Sequence, residues 1–111
     1  MNAKRHLCCV LLVAGALASP AAAQEPAVMQ AQRLLSAGQV FAAMQVLELA
    51  PQTRETVEWR ARVHLIRADQ TQSWERCMNL RQALSLSGAA SAGELVEHTT
   101  RAMYSIGCQP R

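Results

Sequence analysis

Nothing in the sequence marks a reaction centre. There is no C-x-x-C pair, no grouping of His, Cys, Asp and Glu at metal-ligand spacing, and no nucleophile set beside a general base. Redox, metal-dependent and nucleophilic chemistry therefore have no motif behind them. Also missing is an apolar run of the roughly 20 residues that a helix needs to cross a bilayer core. The longest extends only from Leu7 to Ala18. No segment alternates polar and apolar residues as a half-buried strand would. Basic residues are not gathered either. The chain's 11 Lys and Arg fall to nine arginines once Lys4 and Arg5 are set aside, against eight Asp or Glu, a net charge of +1. Scattered arginines in such a balance give no long-range field for phosphates, which argues against nucleic acid as a partner.

What the chain does carry is the pattern of an export signal. Lys4 and Arg5 are followed by the apolar run and then by Ser19-Pro20-Ala21-Ala22-Ala23, so residues 1–23 read as a cleavable secretory signal peptide cut between Ala23 and Gln24. Cys8 and Cys9 lie in this segment, but His6 and Leu7 stand where a lipidated cysteine needs small residues before it. The working molecule is then residues 24–111, one small domain sent by Sec-type export to the periplasm or beyond, with no membrane span after cleavage. Cys77 and Cys108 are the pair left in that oxidising compartment and are expected to form one disulfide. A domain of this size gains from such a staple.

Apolar residues past Pro26 recur at helical spacing, and the breaks between segments carry helix punctuation. The first helix, about Ala27 to Ala37, turns Val28, Ala31, Leu34 and Leu35 inward and ends at Gly38, which is free to adopt a left-handed conformation. The second, Val40 to Ala50, buries Val40, Ala43, Met44 and Leu47 before Pro51 stops it. Thr53 can cap the third, Arg54 to Ala68, which has two apolar stripes. One is Val57, Ala61, Leu65 and Ala68; the other is Trp59, Val63 and Ile66. Two stripes require neighbours on two sides. Beyond the turn Asp69 to Gln72, Ser73 can cap a fourth helix, Trp74 to Leu86, with Trp74, Cys77, Leu80 and Leu84 inward. Ser87 to Ala90 reads as a loop. Ser91-Ala92-Gly93-Glu94 fits a capping box for a fifth helix, Ala92 to Ile106, burying Leu95, Thr99, Ala102, Met103 and Ile106 and stopping at Gly107. The expected fold is all-α: about five short amphipathic helices, two antiparallel hairpins plus a C-terminal helix, with one disulfide. Met29, Met44, Met78 and Met103 fall at core spacing and read as gap-fillers rather than a copper-handling set. Trp59 and Trp74 are expected to pack between hairpins.

The hairpins also repeat faintly. Leu34-Leu35-Ser36-Ala37-Gly38 aligns with Leu65-Ile66-Arg67-Ala68-Asp69, and Ala43, Val46 and Ala50 align with Cys77, Leu80 and Leu84. Over about residues 27–84 the chain resembles tetratricopeptide repeats. Gly38, Ala43, Leu47 and Ala50 stand at the spacing of that family's turn glycine and its second-helix small, large and small positions. The resemblance implies a stack, or a related small bundle, whose first, third and fifth helices line a concave surface for a peptide. On that reading Arg60, His64, Arg67, His98 and Arg101 are the candidate partner-binding residues, since arginine forks suit carboxylates. Arg60 and Arg67 fit a solvated helix face as well, and His64 and His98 fit ordinary surface or core histidines.

These features together imply a non-enzymatic interaction module, or a small accessory subunit of an envelope complex, that needs no cofactor and binds another envelope protein or peptide. A small ligand-binding bundle, an enzyme whose site forms only in three dimensions, and a secreted effector or inhibitor are the alternatives the residues leave open.

Overall fold

A computed structural model describes residues 25–109. The export signal and its cleavage position at Ala23 and Gln24 lie outside the described residues. Those residues form five α-helices and no strand: α1 Ala27–Ser36, α2 Val40–Leu49, α3 Arg54–Gln70, α4 Ser73–Ala89 and α5 Gly93–Ser105.

Short, chemically specific turns fold the helices back on one another. After α1, Gly38 takes φ +77°, its N–H donates to the Leu35 carbonyl at 3.0 Å and the Gln39 N–H donates to Leu34 at 2.9 Å. This is the paired closure that glycine makes cheap at a helix end, and it lets α2 begin only two residues later. Pro51 ends α2, and the Gln52 side-chain amide supplies donors to the free carbonyls of Leu47 and Ala50 at 2.9 and 2.7 Å. The Thr53 hydroxyl accepts the Thr56 N–H at 3.2 Å and caps α3 as its position implied.

The core is two clusters that share α3. Ala31, Val40, Ala43, Met44 and Leu47 from the first hairpin meet Val63, with Trp59 and Ile66 packed against them. On the other side, Ala68, Leu80, Met103 and Cys108 are buried with Leu65, Cys77, Leu84 and Ala102 against them. The two apolar stripes of α3 thus face the two neighbours that they require. The small side chains Ala61 and Ala68, both buried, allow α4 to run close along α3.

Cys77 and Cys108 form the expected disulfide, with their Cα atoms 5.6 Å apart. Gly107, at φ +73°, repeats the closure seen after α1: its N–H donates to Tyr104 at 3.2 Å and the Cys108 N–H to Met103 at 2.9 Å. That turn carries Cys108 back over Met103, where α4 presents Cys77.

Several local expectations are corrected. α3 continues to Gln70 and α4 to Ala89, so Ser87 to Ala90 is not a loop. Ser87 is fully buried and its hydroxyl donates to the Ala83 carbonyl at 2.6 Å, satisfied inside the helix. Ser91 is no N-cap. It adopts φ +55° and closes α4, its N–H donating to Gly88 at 3.0 Å, and Ala92 precedes α5 without a side-chain cap. Ser73 likewise has φ +55° and gives no capping bond, Gln72 standing at the N-cap position. Trp74 is 70% exposed and Ile106 is 42% exposed, so neither is core. Of the methionines, Met44 and Met103 are buried whereas Met29 and Met78 face solvent.

The disulfide closes a stretch of 31 residues, so reducing it, or replacing both cysteines with serine, is expected to cost about 3 to 4 kcal/mol in urea unfolding. An unchanged midpoint under reductant would contradict this.

Candidate functional site

α3 packs on two sides and leaves two others open. On one open side, Glu58, Trp59, Arg62, Leu65 and Ile66 face the α4–α5 turn and the start of α5, where Glu94, Leu95 and His98 stand. Between them lies an open groove of about 760 Å³. Its floor is apolar: Trp59 and Ile66 belong by their inner edges to the first cluster, and Leu65 to the second. Its rim carries both signs of charge, Arg54 and Arg62 against Glu58 and Glu94.

Two arginines shape this groove. The Arg54 Nε donates to the Ala90 carbonyl at 2.8 Å and ties the start of α3 to the α4–α5 turn, closing one end. The Arg62 guanidinium lies 5.2 Å from the centroid of the Trp59 ring and 3.7 Å from the Glu58 carboxylate. The Glu58–Arg62 link fits their i, i+4 spacing, and at this exposure it is weak. The cation over the indole holds the ring in place as a broad apolar surface. An apolar floor with a mixed rim suits an amphipathic protein surface better than a strongly charged ligand.

The five candidate residues divide. His98 lines the groove and is exposed. Arg101, one turn further, is exposed and paired with Glu97 at 2.5 Å. Arg60, His64 and Arg67 occupy a different face of α3, toward α2 and α4. The Arg60 Nη1 donates to Gln52 Oε1 at 2.8 Å, His64 Nδ1 lies 3.1 Å from Asn79 Oδ1, and the Arg67 guanidinium sits 4.3 Å from the Phe41 ring centroid. Steps of four and three residues keep these three side chains on one stripe, and that stripe is turned away from the groove. Conversely Arg62, Leu65, Ile66 and Leu95 line the groove without having been singled out as site residues. The visible signal was the Glu58–Arg62 pair running beside an apolar stripe. A second, smaller hollow of about 280 Å³ lies against the disulfide, between Trp74 and Ile106.

The chain matches no protein-family model, no curated protein and no solved structure.

The ionisation of His64 is displaced by this packing. Burial, first, and the nearby Arg67 and Arg60 hold its pKa below the ordinary 6.5, against the opposing pull of the Asn79 hydrogen bond and of Glu48. A folded-state pKa below the unfolded value means that the unfolded chain takes up the proton first. Stability is therefore expected to be full above about pH 7 and to fall as acid is added through 6.5. His64→Gln, which keeps a partner for Asn79, should flatten that part of the profile. A protein that gains stability between pH 7 and pH 5, or a variant with the parent's slope, would contradict the assignment.

Proposed function

We propose that the protein is an exported, non-enzymatic interaction module, a small accessory subunit of a cell-envelope complex, and that the α3–α5 groove seats a segment of another envelope protein. The observation that carries this reading is the groove itself, an open apolar floor with both charge signs on its rim. A floor left open to water in a small domain is surface that a partner can cover with gain. Trp59, held by Arg62, has the size and fixed orientation of an interface anchor. Arg62 and His98 stand on either side of it and give the partner polar contacts that set its register.

The reading extends to how the helices are used. α3 touches α1 on one side and α5 on the other, whereas α2 and α4 lie across from them. In the manner of tetratricopeptide hairpins, the first helix of each pair would form the receiving surface. No helix among the described residues is long and apolar enough to cross a membrane. The export pattern at residues 1–23 is part of the proposal, with delivery to the periplasm or the outside.

The test is photo-crosslinking in the protein's own cell envelope, with a photoreactive residue in place of the exposed His98, followed by mass spectrometry of bait and prey. One stoichiometric protein partner is expected, with the bait beginning at Gln24. Arg62→Glu, which leaves the cores untouched, should cut its recovery about tenfold, the loss typical of an anchor's immediate support. Absence of prey, or equal capture from a photoreactive residue at the exposed Ser85 on α4, would overturn the reading.

A further inference from the structure

The open side of α3 opposite the groove is built differently. α2 and α4 both pack on α3 and make no contact with each other, so a trough runs between them with α3 as its floor. Along that floor stand Arg60, His64 and Arg67. The α2 wall contributes Phe41 and Glu48, the turn after it Gln52, and the α4 wall Asn79. Arg60 and Arg67 are two turns apart, which sets them about 10 Å from each other along the helix axis.

These two arginines lack the partners that others have. The ion pairs among the described residues are Arg33 with Glu25, Arg62 with Glu58 and Arg101 with Glu97. Arg60 and Arg67 make no ion pair and, unlike Arg54, Arg76 and Arg81, donate to no backbone carbonyl in its place. Arg60 bonds only the neutral Gln52, and its buried Nε donates to nothing. An unmade bond at a buried charged donor is costly, and a carboxylate that drew the guanidinium round would supply the acceptor. Arg67 lies over the ring of Phe41, a residue 70% exposed, and a guanidinium so stacked can still donate N–H bonds to a planar acceptor.

We infer that this face of α3 is a second docking surface, and that its occupant is an acidic helix of another protein presenting two carboxylates seven residues apart to Arg60 and Arg67. A helix is the element that brings side chains seven residues apart onto one face along a straight axis. Its acidic residues at i and i+7 repeat the spacing of the two guanidinium groups. The exposed Phe41 ring gives the apolar side of such a helix a surface to cover. The inference does not depend on the α3–α5 groove. Arg60, Arg67 and Glu48 are the charged groups facing His64, so carboxylates brought to the two arginines offset the repulsion that disfavours the imidazolium. Docking then takes up a proton and tightens as the pH falls.

The probe is a synthetic amphipathic helical peptide of about 20 residues with Glu at two positions seven apart, and a control peptide with Gln in their place. Both are titrated into the purified, disulfide-bonded, nitrogen-15-labelled protein. The Glu peptide is expected to move the Arg60 and Arg67 Nε–H signals and the His64 ring signals, to bind more tightly at pH 5.5 than at pH 7.5, and to weaken with salt. Arg60→Gln with Arg67→Gln should reduce its affinity on the order of tenfold. Should that double variant fold poorly, Arg67→Glu paired with a peptide that keeps Glu opposite Arg60 and carries Lys opposite position 67 keeps the test decisive, since the swapped pair should restore binding. Equal binding of the Gln peptide, or shifts at Trp59 and Leu95 with Arg60 and Arg67 unmoved, would overturn the inference. The second result would leave the groove reading standing.

Discussion

The molecule depends on one constraint, that α3 is apolar on two nearly opposite sides and has to be covered on both. Val63, with Trp59 and Ile66 beside it, closes the first hairpin's cluster, while Ala68 and Leu65 close the second. Neither cluster is large enough to make a domain alone. Joined through one helix, they stabilise each other. The same constraint fixes what remains open, because a helix covered on two opposite sides exposes the two between. One becomes the floor of the groove shared with α5, and the other carries Arg60, His64 and Arg67 between α2 and α4. Both proposed surfaces therefore follow from the residue pattern of a single helix.

The ends of the molecule are held by different means. The first hairpin is set by the Gly38 closure and by the cap at Thr53, which are local devices. α5 has no following helix to pack against among the described residues, and its packing on α4 through Met103 and Ala102 is reinforced covalently. The Gly107 closure aims Cys108, and the bond to Cys77 fixes the end of α5 on α4. One partly open cost remains at α5, where the fully buried Thr99 hydroxyl finds no hydrogen-bond partner.

Much of this architecture was legible from residue spacing. Gly38, Pro51, Thr53 and Gly107 each act where the sequence puts them, and the double stripe of α3 foretold its neighbours. Misreadings came where one residue had two possible roles. Ser91 has the chemistry of an N-cap, yet closing α4 required a left-handed residue at that position and took its backbone first. Ser87 and Gly88 resemble a loop, but a serine that bonds its own preceding turn can stay helical. Trp74 was placed inward by steps of three through Cys77 to Leu80. Each such step falls about 60° short of a full turn, so Trp74 ends about 120° round the helix from Leu80. The site was less legible than the fold. Arg60, His64 and Arg67 were readable as one stripe, but which face that stripe occupies depends on how the two hairpins divide α3. Trp59 and Ile66 read as core because half of each is core. Their other half lines the groove.

The central claim, that α3 joins two small cores into one cooperative unit, is tested most directly by native-state hydrogen exchange. If the account holds, the amides of Met44 and Leu47 in α2, Ala61 and Val63 in α3, and Leu80 and Ala83 in α4 will exchange with one common opening free energy and respond together to denaturant. A first hairpin that opens well before α3 and α4, with a lower free energy and its own denaturant slope, would show two independent cores and contradict it.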